Sequence, residues 1–237
     1  MVEGRMAEPI AIDQLAEALK LGPHELVSLV GGGGKTTALF ALGRQLEGTV
    51  VLTTTTKMHK GYTDGYPVFL SPNDGELSGA LATNRAVLVW RDIDGGKALG
   101  VQSELCDRWF GLADYVVVEA DGARRKPLTA PGPLEPVVPE LTTLLVACVG
   151  ADAFGRVIAD QCHRPMRVAA LAGCSPYQRL TPERLTKVLL SERGLQKGRP
   201  GAARFAIVLT KISQADVSFA EEVVEIIGDR SEVVVLG

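Results

Sequence analysis

The sequence predicts an α/β fold of three layers, with a doubly wound, mainly parallel sheet between helices. Three observations lead there. Short apolar runs alternate with amphipathic helical stretches along most of the chain. The runs at 26–30, 115–118 and 143–149 are almost continuously apolar, as in strands covered on both faces. Glycine-rich or acidic residues then follow these runs directly, at the strand ends where ligands of such sheets bind.

Each element can be justified in order. Residues 12–21 carry Ile12, Leu15, Ala16 and Leu19 at helical spacing, with Asp13 near the start and Gly22-Pro23 as a stop. A strand follows at 26–30, then an amphipathic helix at 38–46. Gly48 breaks that pattern, and 49–53 predict the second strand. Residues 67–70 predict a short strand, 75–84 a helix and 85–90 another strand. Asp94-Gly95-Gly96 is a turn signal, so 97–101 are expected to return as a hairpin. Ser103 is a suitable cap for a helix over 103–112. After the strand at 115–118, residues 122–139 hold five prolines, a stretch long enough to suggest a lid or a binding surface. A core strand at 143–149 and helices at 166–172 and 182–191 come next, the latter with Thr181 as cap and Pro182 at its first position. A strand at 205–209, an amphipathic helix at 215–227 and a strand at 231–236 complete the order. A single nucleotide-binding domain over 1–237 is expected, with 1–22 as helical lead-in and 122–139 as a proline-rich loop.

Bulk properties exclude several classes. With 237 residues and 46% hydrophobic content the chain can build a real core. A net charge of −3 offers no basic field for nucleic acid or an anionic membrane. No apolar run approaches the ~20 residues that span a bilayer. Met1-Val2-Glu3-Gly4-Arg5 lacks the apolar core of a signal peptide, so a cytoplasmic protein is expected. Cys106, Cys148, Cys162 and Cys174 form no Cys-x-x-Cys pair, which suits a reducing compartment. Cys162, His163 and Cys174 are the remaining candidates for a shared metal, at a spacing that matches no standard ligand pattern.

The chemistry centres on Gly31-Gly32-Gly33-Gly34-Lys35-Thr36-Thr37, which lies between a strand and a helix. Glycines let backbone N–H groups approach oxygen atoms with no Cβ in the way, and the helix N-terminus adds an anion-attracting end. In this setting Lys35 reaches the β- and γ-phosphates and the Thr36 hydroxyl ligates Mg2+. The fold expectation thus sharpens to a P-loop NTPase-like one, with ATP or GTP and Mg2+ as cofactors. The common form places a glycine where Leu29 stands, so the fit is to the shorter Gly-x-x-Gly-Lys-Thr-Thr. Glu119-Ala120-Asp121-Gly122 follows the next strand, and its two acids are candidates for holding the metal or orienting a nucleophile. Thr55, Thr56 and Lys57 end the second strand and are candidates for a phosphate or substrate. Arg124, with Arg125 and Lys126 beside it, and Arg164 are candidates for an anionic substrate. Thr210-Lys211-Ile212-Ser213 sits where many GTPases carry Asn-Lys-x-Asp, with Ser213 in place of the acid. That leaves ATP and GTP open, with Lys211 able to pack its stem on a base.

The glycine loop is similar to the Lys-Gly-Gly-x-Gly-Lys-Thr-Thr loop of the deviant P-loop group, with Val30 in place of its extra lysine. It is also similar to the loop of Mur-type ligases. Glu119-x-x-Gly122 resembles the Glu-x-x-Gly of nickel and cobalamin metallochaperone GTPases. The whole arrangement more closely resembles the YqeC family. The matching parts are the glycine loop, residues 53–56, Glu119 to Gly122, Ala130-Pro131, residues 135–139, residues 149–153, His163-Arg164-Pro165 and Thr210-Lys211. The family pattern also leads to a lysine near Thr129 and a histidine near Leu134, neither of which is present. The resemblance implies a role in maturing a selenium-dependent molybdenum hydroxylase, which would be the partner. Three readings follow: an Mg2+-dependent NTPase or kinase-like enzyme, a nucleotide-switched metallochaperone or assembly partner, and a binding module without turnover.

Overall fold

In the computed structural model, which describes residues 9–237, the apolar runs become strands of one eight-stranded sheet. In chain order the elements are α1 (Leu15–Ala18), β1 (Glu25–Gly31), α2 (Lys35–Gln45), β2 (Val50–Thr54), β3 (Lys57–His59), β4 (Val68–Leu70), α3 (Asp74–Thr83), β5 (Ala86–Trp90), β6 (Asp92–Asp94), β7 (Lys97–Leu99), α4 (Ser103–Phe110), β8 (Tyr115–Glu119), β9 (Leu128–Thr129), β10 (Leu144–Gly150), α5 (Ile158–Gln161), β11 (Cys162–His163), α6 (Pro165–Ala172), α7 (Pro182–Leu190), β12 (Arg204–Thr210), α8 (Val217–Ile227) and β13 (Glu232–Val235). The sheet order is β13-β12-β10-β1-β8-β2-β5-β4, and every neighbouring pair is parallel.

Both faces of the sheet are apolar, and the two-residue period of a strand divides its side chains between them. In β10, Leu144, Val146 and Cys148 pack toward α1 and α2, whereas Leu145, Ala147 and Val149 pack toward α6, α7 and α8. Val116 and Val118 of β8 meet Leu77 of α3 and Trp109 of α4. Each fully covered Val or Leu contributes roughly 1.5–3 kcal/mol. The result is the expected three-layer arrangement. From β1 the chain crosses to β2 on one side, while β10, β12 and β13 build out the other, so the winding reverses at β1. A crevice opens at such a reversal, at the carboxyl ends of the strands.

Four local differences from expectation have clear causes. The lead-in is a 3-10 turn (Ile12–Gln14) followed by α1, which ends at Ala18. It is tied to α2 by the Gln45 amide, which bonds Ala16 N and Ile12 O, each at 2.8 Å. Helix α2 begins at Lys35, three residues before the apolar pattern starts, because its first turn presents Lys-Thr-Thr and so shows no apolar periodicity by which it could be read. The hairpin of β6 and β7 gains a third strand, β3, whose three residues include one buried side chain, Met58. Residues 122–139 do not hang free as a lid: β9 pairs with β11, and Val137 N bonds Ala120 O at 2.9 Å. The readings made on residues 1–5 lie outside the described residues. Among the described residues no helix is long and apolar enough to cross a membrane.

Candidate functional site

The glycine loop is wedged between two backbones. At the end of β1, Gly31 has φ +94°, its N–H donates to Asp121 Oδ2 at 2.9 Å, and Gly32 N–H donates to Cys148 O at 2.9 Å. A Cβ on Gly32 would lie 2.4 Å from Lys126 O, and one on Gly33 would lie 2.3 Å from Gly150 N. Gly33 and Gly34 also need φ of +71° and +127°, which only glycine adopts at little cost. Beyond this clamp the N–H groups of residues 33–37 have no hydrogen-bond partner among the described residues. They are the orphan donors of the turn and of the first turn of α2, and such a row attracts an anion.

At the root of this row lies a buried charged cluster. The Lys35 ammonium donates to Gly31 O at 2.5 Å and lies 3.0 Å from Asp121 Oδ1 and 3.8 Å from Glu119 Oε1. Thr36 Oγ1 donates to Glu119 Oε2 at 2.8 Å. Lys35, Glu119 and Asp121 are all buried. The register of β8 explains the convergence: it sets Glu119 level with Leu29 of β1, and Asp121 follows two residues later. Burial is the largest influence on Lys35 and pulls its pKa down, but Asp121 and then Glu119 outweigh it, so the pKa is raised. For Glu119, burial raises the pKa, and the opposing ammonium and Thr36 hydroxyl leave it above its ordinary value.

Asp121 Oδ1 is buried and has no aligned hydrogen bond despite its contact with the ammonium. Thr36, Glu119 and Asp121 thus form an all-oxygen donor set with acceptor capacity to spare, the kind a hard cation such as Mg2+ takes. Among the described residues there is no group of three or more His, Cys, Asp and Glu side chains that could hold a metal ion. A site shared by Cys162, His163 and Cys174 is therefore absent. Cys162 is buried in the core, and burial pushes its thiol up to about 12.

The other candidates are dispersed around the cluster. Thr37 is an exposed residue of the first turn of α2. The Thr55 hydroxyl donates to Val137 O at 2.7 Å, and Thr56 Oγ1 lies 3.3 Å from Thr54 Oγ1. Lys57 is exposed in β3. Arg124 and Arg125 have left-handed backbones, with φ of +50° and +61°. The Arg125 guanidinium reaches the Tyr62 hydroxyl at 3.3 Å, whereas Arg124 has no ion pair or hydrogen bond among the described residues. Arg164 is committed to the carboxylate of Glu135 and to Ala130 O. His163 Nδ1 is 3.1 Å from Thr129 Oγ1. Burial and the charges of Arg164 and Arg124 hold its pKa below the usual imidazole value. Lys211 pairs with Asp152 at 2.7 Å. Nothing local in the sequence signals Lys197, whose ammonium donates to the carbonyls of Gly132, Pro133 and Glu135 and so fixes the proline-rich strap.

A family model described as "YqeC protein" matches residues 27–166, from β1 through both acids to the start of α6. The chain is also 28% identical over 221 residues to a protein of Escherichia coli (strain K12) described as uncharacterized protein YqeC, covering 89% of this chain and 86% of that one. The glycine loop, the acids, the strap and His163-Arg164-Pro165 all fall inside the matched stretch, and the chain belongs to the YqeC family.

Proposed function

We propose that this protein binds a magnesium nucleoside triphosphate at its glycine loop and acts on the terminal phosphate, as an NTPase or a kinase-like enzyme. One observation carries the reading: Lys35, Thr36, Glu119 and Asp121 meet at the root of five consecutive N–H groups that have no partner among the described residues. The N–H groups of Gly33 to Thr37 take the phosphate oxygens. Lys35 stays charged in its buried pair and exchanges part of that pair for the β- and γ-phosphates. Thr36, Glu119 and Asp121 are the residues that would hold Mg2+, which neutralises developing charge on the phosphates when bound. The two acids also stand where one of them can orient the attacking hydroxyl or water beside the terminal phosphate. Arg124 is the cation left to meet an anionic substrate, whereas Thr55 and Arg164 position the strap.

The place of this activity in maturing a selenium-dependent molybdenum hydroxylase draws on the family resemblance alone. A second reading, a nucleotide-switched assembly partner, is favoured by Leu134, which is 87% exposed at the tip of the strap. That strap bonds Ala120 between the two acids, so a ligand at the acids and a client at the strap would touch one segment.

The test measures phosphate release or transfer from ATP and GTP with Mg2+. Thr36→Ala and Glu119→Gln are each expected to lower turnover roughly 100-fold or more while the fold is kept. Full turnover in both folded variants would exclude the reading.

A further inference from the structure

We infer that the nucleoside half of the ligand occupies a cleft between the loops that follow β10 and β12, and that Asp216 makes this cleft select guanine over adenine. This rests on the reading of the glycine loop as a triphosphate site. The cleft measures about 590 Å³, within the usual range for small-molecule sites, and its walls include Asp152, Phe154, Arg156, Lys211 and Asp216.

Its position follows from the glycine loop's own supports. Gly33 rests against Gly150 so closely that a Cβ there would meet the Gly150 backbone, and the Thr210 hydroxyl donates to Gly33 O. The two cleft walls begin one residue further on, at Ala151 and Lys211. A ligand whose phosphates lie along the N–H groups of residues 33–37 therefore has the walls of this cleft beginning beside it.

The walls suit a flat base. Lys211 is a non-glycine residue at φ +59°, and its ammonium is held by Asp152 at 2.7 Å, so its four-carbon stem is stretched along the cleft. Phe154 adds an apolar surface and is itself stacked on Phe219, with ring centroids 4.3 Å apart. Asp216 supplies the selectivity. Its Oδ2 accepts from Ser213 N at 3.0 Å and from the Ser213 hydroxyl, which fixes the carboxylate. Its Oδ1 has no partner among the described residues. An ionised carboxylate only accepts hydrogen bonds. The guanine edge offers two adjacent donors, N1–H and the 2-amino group. The adenine edge sets an acceptor, N1, beside its amino group and meets the carboxylate with repulsion. The acid missing at Ser213 is thus returned by the 3-10 turn Gln214–Asp216, three residues later.

The experiment is calorimetric titration of the full chain with Mg2+ and GDP, ADP or IDP, which lacks the 2-amino group. GDP is expected to bind about tenfold or more tightly than ADP, with IDP between them. Asp216→Asn is expected to bring GDP within about threefold of ADP, by weakening GDP and, with the repulsion of adenine N1 relieved, leaving ADP no weaker than in the wild type. Equal binding of GDP and ADP by the wild type, or a GDP preference kept in Asp216→Asn, overturns the inference. Should that variant fail to fold, the GDP–IDP–ADP ranking of the wild type decides alone. Base-blind binding that is lost in Lys35→Met would refute the guanine cleft and leave the triphosphate site standing. A folded protein that binds none of the three nucleotides refutes both.

Discussion

Among the described residues Lys35 is the only cation within the buried cluster, and two carboxylates depend on it. Removing one partner from a buried pair leaves an uncompensated charge and costs about 3–5 kcal/mol. Lys35→Ala is expected to lose that much stability along with any turnover, and the loss should depend on pH with a definite sign. Burial already lifts Glu119, and Lys35 is the largest opposing influence. Without the ammonium the folded-state pKa climbs further above the unfolded one. A carboxyl of this kind holds its proton more tightly when folded, so its contribution is full below the unfolded pKa and is lost as pH rises through the folded one. The deficit of the variant should therefore shrink as pH falls from neutral toward 4.5, the ordinary value for this group. Unfolding midpoints of both proteins across that window check this, and parallel curves would rule it out. Lys35, Thr36, Glu119 and Asp121 were all legible in the sequence, because a strand-end acid and a strand-loop-helix turn are local patterns. The engagement of Thr55 was not, since its partner Val137 lies 82 residues away. Nor was that of Arg164, whose partner Glu135 is 29 residues off.

Among the elements, the long strands and the helices with apolar stripes could be read directly, because period and burial agree in them. The two-residue strands β9 and β11 could not, being too short to show any period, yet their pairing sets Thr129 beside His163. The proline-rich strap was visible as a long loop but not as a fixed one. What fixes it is a set of hydrogen bonds to its carbonyls from outside the loop. Lys197 donates to three of them, at 2.7, 3.0 and 2.6 Å, and Arg167 donates to Pro131 O at 2.7 Å. A lysine has three donors, so Lys197 is fully used. Lys197→Ala is expected to destabilise the chain by about 1–3 kcal/mol, because the three carbonyls lose a charged donor. It should also speed amide exchange at Glu135 and Val137, whose N–H groups bond Gly132 O and Ala120 O, while β1 and β10 keep their protection. Hydrogen exchange read by mass spectrometry checks this, and unchanged exchange over 130–138 would show that Arg164, Arg167 and β9 hold the strap without Lys197.

For the molecule as a whole, the reversal of winding at β1 gathers the ends of β1, β2, β8, β10 and β12 along one rim. Every candidate residue follows one of these strands or lies in the adjoining strap, except Arg164, which caps α6 and reaches the strap through Glu135. The rim was foreseeable from alternating strands and helices, but the strand order was not: β8 inserts between β1 and β2, a non-local choice that no stretch of sequence encodes. This order places the Glu119–Asp121 pair directly beside the glycine loop. A ligand that spans the loop and the acids would bind only the folded chain, since the unfolded chain brings neither together. It must then stabilise the fold by mass action, by about 2.7 kcal/mol at one hundred times its dissociation constant. In a chain of this length each kcal/mol moves the unfolding midpoint by about 2–4 °C. Saturating Mg2+ and nucleotide are thus expected to raise the midpoint by about 5–10 °C. Nucleotide without Mg2+ should raise it less, because Thr36, Glu119 and Asp121 then face the phosphates with no cation between them. Thr36→Ala should narrow the gap between the two conditions, since it removes one of the residues assigned to the ion. A midpoint unmoved by ATP and by GTP, each with Mg2+, would mean that the row of free N–H groups does not receive a triphosphate.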